Sequence, residues 1–149
     1  MRKVSRSALV PFSASDMYRL VEDVESYPEF LPWCSDVEVH LREGNAVEAT
    51  LELRRGGLSK RFRTRNTMQP ESSMDLSLVG GPFRHLSGGW TFTQLGDAGS
   101  KVSLDLEFEF DSRTLDLVIG AFFEETCNSL VDAFTARAEQ VYGVGSRNA

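Results

Sequence analysis

Three polar side chains stand where the pattern calls for apolar ones. Thr64 and Asn66 share an alternating row with Phe62 and Met68, and Arg137 projects into the middle of a helical apolar stripe. A buried polar group needs a partner, so each must bond a neighbour, water or a bound molecule. Arg137 lies near a helix end, where it can instead snorkel to solvent or pair with an acid. The rest of the reactive inventory is thin. His85 falls on the same strand face as Phe83 without a matched general-base partner, and His40 sits on an outward face. Glu107 and Glu109 alternate outward, so no carboxylate pair shares an inward face. Two histidines without a carboxylate cluster make no metal site. Cys34 and Cys127 are the only cysteines, too few for a disulfide framework. No nucleophile elbow or phosphate-cradling loop is present. The reading is of a non-enzymatic chain with free thiols and no catalytic residue, metal or cofactor.

Charge supplies the second candidate site. The formal net charge of −6 disfavours DNA as a partner. Yet Arg54, Arg55, Lys60, Arg61, Arg63 and Arg65 follow one another with no acid between them. The last fifty residues, by contrast, hold four basic residues against nine acids. Arg61, Arg63 and Arg65 share one strand face, where they can pair with Glu48 and Glu52 across the sheet. The alternative is a surface that meets RNA phosphates or anionic lipid head groups. No aromatics interleave on that face, which disfavours stacking on single strands.

The elements that must position these residues follow from periodicity. A first strand runs from about Lys3 to Val10; Ser13 then caps a short helix whose apolar face is Met17, Leu20, Val21 and Val24. Tyr27 to Trp33 is an aromatic loop in which Pro28 and Pro32 oppose helix. Period-two alternation marks six further strands. Their inward rows include Val37–Leu41, Val47–Leu53, Phe62–Met68, Met74–Leu78, Phe83–Phe92, with a break at Gly88-Gly89, and Val102–Phe110. From Thr114 to Tyr142 apolar residues recur at helical spacing over nearly half the circumference. So wide a stripe needs a concave partner. The expected architecture is α+β, a curved antiparallel sheet wrapped around one long C-terminal helix bent at Gly120. The domain is expected to span 1–143, with Val144 to Ala149 a frayed tail. No apolar run approaches the ~20 residues of a membrane span, and no signal peptide is evident; a cytoplasmic location is expected.

In this order of elements the chain resembles the START-like (helix-grip, polyketide cyclase/dehydrase-type) superfamily. Within it, the chain is similar to the coenzyme-Q-binding and ribosome association toxin family. The stretches that carry the resemblance are Ser5-Arg6-Ser7-Ala8-Leu9-Val10-Pro11, Asp23 to Cys34 with its Tyr-Pro-Glu-Phe-Leu-Pro-Trp-Cys ending, and Gly81-Pro82-Phe83-Arg84. Gly88-Gly89-Trp90-Thr91-Phe92, Phe108-Glu109-Phe110, and Ala133-Phe134 through Arg137-Ala138 to Gly143 complete the set. The resemblance implies a carrier or chaperone of a polyprenyl quinone such as ubiquinone, or another lipid, supporting respiration. Its alternative is a toxin that binds the large ribosomal subunit and blocks subunit joining. A quinone partner would bring transient contact with the inner membrane.

On the carrier reading the ligand lies between sheet and helix. It enters under the aromatic loop and touches Phe30, Leu31, Trp33, Phe83, Trp90, Phe108, Phe122, Phe123 and Phe134, with Asn66 and Arg137 bonding the head group. On the ribosomal reading the contacts are Arg54, Arg55, Lys60, Arg61, Arg63 and Arg65.

Overall fold

Alternation builds the sheet. Seven antiparallel strands are β1 (Arg2–Val10), β2 (Cys34–Glu43), β3 (Ala46–Arg55), β4 (Leu58–Gln69), β5 (Ser73–Gly80), β6 (Phe83–Leu95) and β7 (Gly99–Phe110). They lie in the order β1-β7-β6-β5-β4-β3-β2, a meander whose last strand pairs with the first. The structure is a computed structural model and describes residues 1–143; the tail expected at 144–149 lies outside the described residues. The inward rows Val47, Ala49, Leu51, Leu53 and Val102, Leu104, Leu106, Phe108, Phe110 are all buried. Burial of such rows drives folding at roughly 25 cal/mol per Å².

Strand β6 departs from expectation in two places. It runs unbroken through Gly88-Gly89. A Cβ on Gly88 would lie 2.0 Å from the Asp105 carbonyl oxygen of β7, so these glycines permit close strand approach rather than ending the strand. The irregularity sits earlier. Phe83 pairs with Phe110 but His85 pairs with Glu109, a bulge that shifts the register. His85 is therefore carried off the face of Phe83. It stands half-buried with Ser87 Oγ at 2.9 Å and Glu107 Oε2 at 3.8 Å.

Helix α1 (Ala14–Glu22) begins at Ser13, whose hydroxyl accepts the Asp16 amide at 3.0 Å. The start of the segment expected as a loop, residues 27–29, is instead the second half of a 3₁₀ helix over Val24–Glu29 with Pro28 inside it, while Phe30 to Trp33 is non-helical as expected. Tyr27 is buried there and its hydroxyl donates to the Val21 carbonyl, tying the turn to α1.

The C-terminal helix follows the expected course but not as a single regular rod. It comprises α2 (Arg113–Leu115), a π-helical stretch (Asp116–Gly120), α3 (Ala121–Asn128) and α4 (Leu130–Tyr142), with an interruption at Ser129. Gly120 is buried for a reason the sequence alone conceals. A Cβ there would meet Arg2 Nη2 at 2.6 Å and Asp116 Oδ1 at 2.7 Å. The missing side chain makes room for Arg2, which donates to Asp116 Oδ1 at 2.9 Å and to Glu124 Oε1 at 3.0 Å. The N-terminal strand is thus bolted to the helix across the widened turn.

Candidate functional site

Between the curved sheet and α3–α4 lies a cavity of about 80 Å³. The sheet contributes Leu51, Phe62, Thr64, Asn66, Leu76, Leu86, Trp90 and Leu106. The helix contributes Phe123, Cys127, Leu130 and Phe134, and the aromatic segment closes the space with Val24, Tyr27 and Trp33. Aromatic clusters stand beside it. Phe134 meets Trp90 at 5.2 Å, Tyr27 at 5.4 Å and Phe30 at 5.2 Å between ring centroids. Phe123 meets Phe108 at 4.9 Å and Phe83 at 5.5 Å. All but the tilted Phe123–Phe83 pair are edge-to-face, an arrangement that holds the walls firmly.

Polar groups in the walls are few. Thr64 and Asn66 are buried on β4, and the Thr64 hydroxyl donates to Asn66 Oδ1 at 3.1 Å. The Asn66 amide nitrogen makes no hydrogen bond among the described residues. Trp33 Nε1 is buried and also has no partner among them. An unpaired buried donor costs about 1–3 kcal/mol, so Trp33 Nε1, with the Asn66 amide beside the same apolar cavity, makes an acceptor-seeking site. Cys127 lines the same space, and burial pushes its thiol up to about 12; burial does the same to Cys34. Neither thiol is a nucleophile at neutral pH. Among the described residues no group of His, Cys, Asp or Glu side chains could hold a metal ion.

Of the expected ligand contacts, the cavity brings together Trp33, Asn66, Trp90, Phe123 and Phe134. Leu31, Phe83 and Phe108 are buried core residues outside its lining. Phe30 packs on the outer side of Phe134. Phe122 faces away, with the Arg55 guanidinium 4.6 Å above its ring. Arg137 does not reach the cavity. It donates to Glu29 Oε1 at 2.9 Å and lies 5.0 Å over the Phe30 ring. Sequence reasoning placed Tyr27 in the loop over the cavity mouth but did not name Val24, Leu51, Phe62, Leu76, Leu86, Leu106, Cys127 or Leu130 as lining. Their inward register was readable, but which inward residues border a void was not.

The basic run divides in two. Arg61 pairs with Asp36 at 3.0 Å and with Glu52 at 3.5 Å, while Arg63 and Arg65 approach Glu48 at 3.8 and 3.5 Å. Arg54, Arg55 and Lys60 make no ion pair among the described residues. A wider, open cleft of about 400 Å³ is lined by the ion pairs Arg2–Asp116 and Arg84–Glu109, together with Arg113, Ser112, Phe108 and Phe110. No helix among the described residues is long and apolar enough to cross a membrane.

The fold and the cavity agree with the chain's similarities. The family described as polyketide cyclase / dehydrase and lipid transport matches residues 10–135. The ribosome association toxin RatA of Vibrio cholerae is 50% identical over 143 residues, which cover 96% of this chain and 99% of that protein. The mitochondrial coenzyme Q-binding protein COQ10 homolog B of Xenopus laevis is 29% identical over 143 residues, covering 93% of this chain and 59% of that protein. The crystal structure of the ZhuI aromatase/cyclase from Streptomyces sp. R1128 superposes with a TM-score of 0.83 at 18% identity, over 97% of both chains, a likeness of fold alone. With its seven-stranded sheet gripping a C-terminal helix over a small apolar cavity, the chain belongs to the polyketide cyclase/dehydrase and lipid transport family, has the START-like fold, and within the family stands with the RatA proteins.

Proposed function

We propose that this protein binds, without chemical turnover, a neutral hydrophobic ligand whose head group accepts hydrogen bonds, and that the ligand is a polyprenyl quinone. One observation carries the reading: Trp33 Nε1 is a buried donor without an acceptor, beside an apolar cavity that also presents the Asn66 amide. A quinone carbonyl supplies the missing acceptor, and a quinone needs no counter-charge, which the cavity lacks. The kinship with a protein named for coenzyme Q binding supports the ligand class. The absence of an acid–base pair in the lining supports binding rather than catalysis.

At about 80 Å³ the closed cavity is well below the roughly 300–1,000 Å³ of ligand pockets. It holds no isoprenoid tail as it stands. Loading therefore requires the Tyr27–Trp33 segment to swing away from Phe134, leaving the tail in the gap. The test is organic extraction of freshly purified protein with mass spectrometry, followed by titration of the apo chain with a short-tailed ubiquinone. Binding is expected to weaken about tenfold in Trp33→Phe, which keeps the ring but loses the donor. No quinone in the extract together with no saturable titration would end the proposal.

A second reading has its own support, the name and 50% identity of the ribosome association toxin. In that reading Arg54, Arg55 and Lys60 meet ribosomal RNA phosphates, since Arg61, Arg63 and Arg65 are engaged by acids. Co-sedimentation with large ribosomal subunits that falls steeply with salt is its expected signature.

A further inference from the structure

The widened turn of the C-terminal helix leaves two large apolar side chains in solvent, Leu117 at 80% and Val118 at 57% exposure. Their position is not random on the surface. Val118 lines a cleft with Leu115, Leu58 and Lys60, so the helix start and the tip of the β3–β4 hairpin form one face. That hairpin tip is where Arg55 opposes Leu58 and Arg54 opposes Ser59. Arg55 lies over Phe122, one helical turn beyond Val118.

The cations sort by place. Those farther along β4 are neutralised by Glu48, Glu52 and Asp36. Those nearer the exposed apolar pair, Arg54, Arg55 and Lys60, make no ion pair among the described residues, although Arg54 helps to lower the Glu52 pKa through space, and Asp111 is the acid that lines the cleft. In a chain of net charge −6, this end combines positive charge free of ion pairs with protruding hydrocarbon.

We infer that this face docks on an anionic lipid bilayer. Leu117 and Val118 enter the head-group boundary, and Arg54, Arg55 and Lys60 meet lipid phosphates. A membrane surface rewards both features together, burying apolar side chains and attracting about 1 kcal/mol per nearby cation. RNA phosphates would use the cations and leave the leucine and valine wet. The face is tied to the cavity, because the Arg54 amide donates to the Trp33 carbonyl at 2.9 Å. Docking at the hairpin thus bears directly on the segment that closes the cavity, whatever fills it.

The test is co-flotation of the full apo chain with vesicles of phosphatidylcholine alone or mixed equally with phosphatidylglycerol. The wild-type chain is expected to float with the mixed vesicles at low salt and not with the neutral ones. Leu117→Ser with Val118→Ser should weaken binding about tenfold or more, with an unchanged melting temperature because both residues are exposed. Arg54→Gln, Arg55→Gln and Lys60→Gln together should abolish the preference for anionic lipid. Arg65→Gln, on the paired part of the run, should change little. Failure of the wild-type chain to float, or full binding by the serine pair, overturns the inference. So does loss of ribosomal subunit binding in the glutamine triple without any effect of the serine pair in either assay, which assigns the face to RNA.

Discussion

Arg137 of α4 reaches across to Glu29 at the end of the 3₁₀ helix, Nη2 to Oε1 at 2.9 Å, and covers the Phe30 ring on the way. Sequence reasoning offered it either to an acid or to the ligand head group; the structure pairs it with an acid, as a latch on the segment that closes the cavity. An exposed pair and a cation–π contact contribute up to about 1 kcal/mol each. Arg137→Gln is therefore expected to accelerate ligand exchange and hydrogen exchange of the Tyr27–Trp33 amides by about fivefold, with little loss of global stability. Unchanged segment exchange in that variant would exclude the latch.

The polar pair on β4 makes a different prediction. Thr64→Val with Asn66→Leu removes both members at once, so no buried group is left unsatisfied. Stability should hold or rise, since apolar replacement of both partners is close to neutral. Quinone binding should fall about tenfold, as the amide donor is gone. Chemical denaturation and the ubiquinone titration measure the two effects separately.

Gly120 and Arg2 should be coupled. Alanine is normally favoured over glycine inside a helix by about 1 kcal/mol. Here the added methyl would displace the Arg2 guanidinium. Gly120→Ala should give little net change in the wild-type background and stabilise by about 1 kcal/mol in Arg2→Ala. A double-mutant cycle by denaturation checks this, and equal effects in both backgrounds would refute the coupling.

Acid should act on the same pair. The Arg2 hydrogen bond holds the Asp116 carboxyl below the usual carboxylate range. A depressed folded value stabilises the fold above the unfolded pKa, and that contribution is lost as the pH falls through the lowered value. Asp116→Asn should thus cost about 1 kcal/mol or less at pH 7 after solvent screening, and its difference from wild type should shrink in acid. Paired melting curves across the acid limb decide it.

The two thiols give a probe of opening. With Cys127 held near 12 by burial, its thiolate is on the order of a thousandfold scarcer at neutral pH than in a free cysteine. Labelling of the native protein should be slow and become rapid on unfolding. A bound ligand should slow it further at Cys127, which lines the cavity, and less at Cys34, which does not.

The sheet was legible because its signal is local. Val47 to Leu53 and Val102 to Phe110 alternate without a fault, and period two leaves little freedom of register. The helix was legible in extent but not in phase. Projection at 100° per residue assumes an unbroken α-helix, so the π-helical stretch rotates Val118 out to solvent, while Cys127 and Val131 take buried places. The bulge between Phe83 and His85 was invisible for the same reason, since one extra residue inverts every face assignment nearby. Arg2 was not singled out at all. Nothing local marks a residue whose partners stand more than a hundred positions away.

The pairing of β1 with β7 also governs how the chain is made. Arg2 sits opposite Phe108, so β1, made before the other six strands, waits for the last of them before it acquires a neighbour. Until then the meander can assemble hairpin by hairpin, but its final edge stays open. Closure over such a sequence separation is entropically slow. The alternating serines and arginine of Ser5, Arg6 and Ser7 keep the waiting segment hydrophilic, which guards the nascent protein against strand-to-strand aggregation during synthesis.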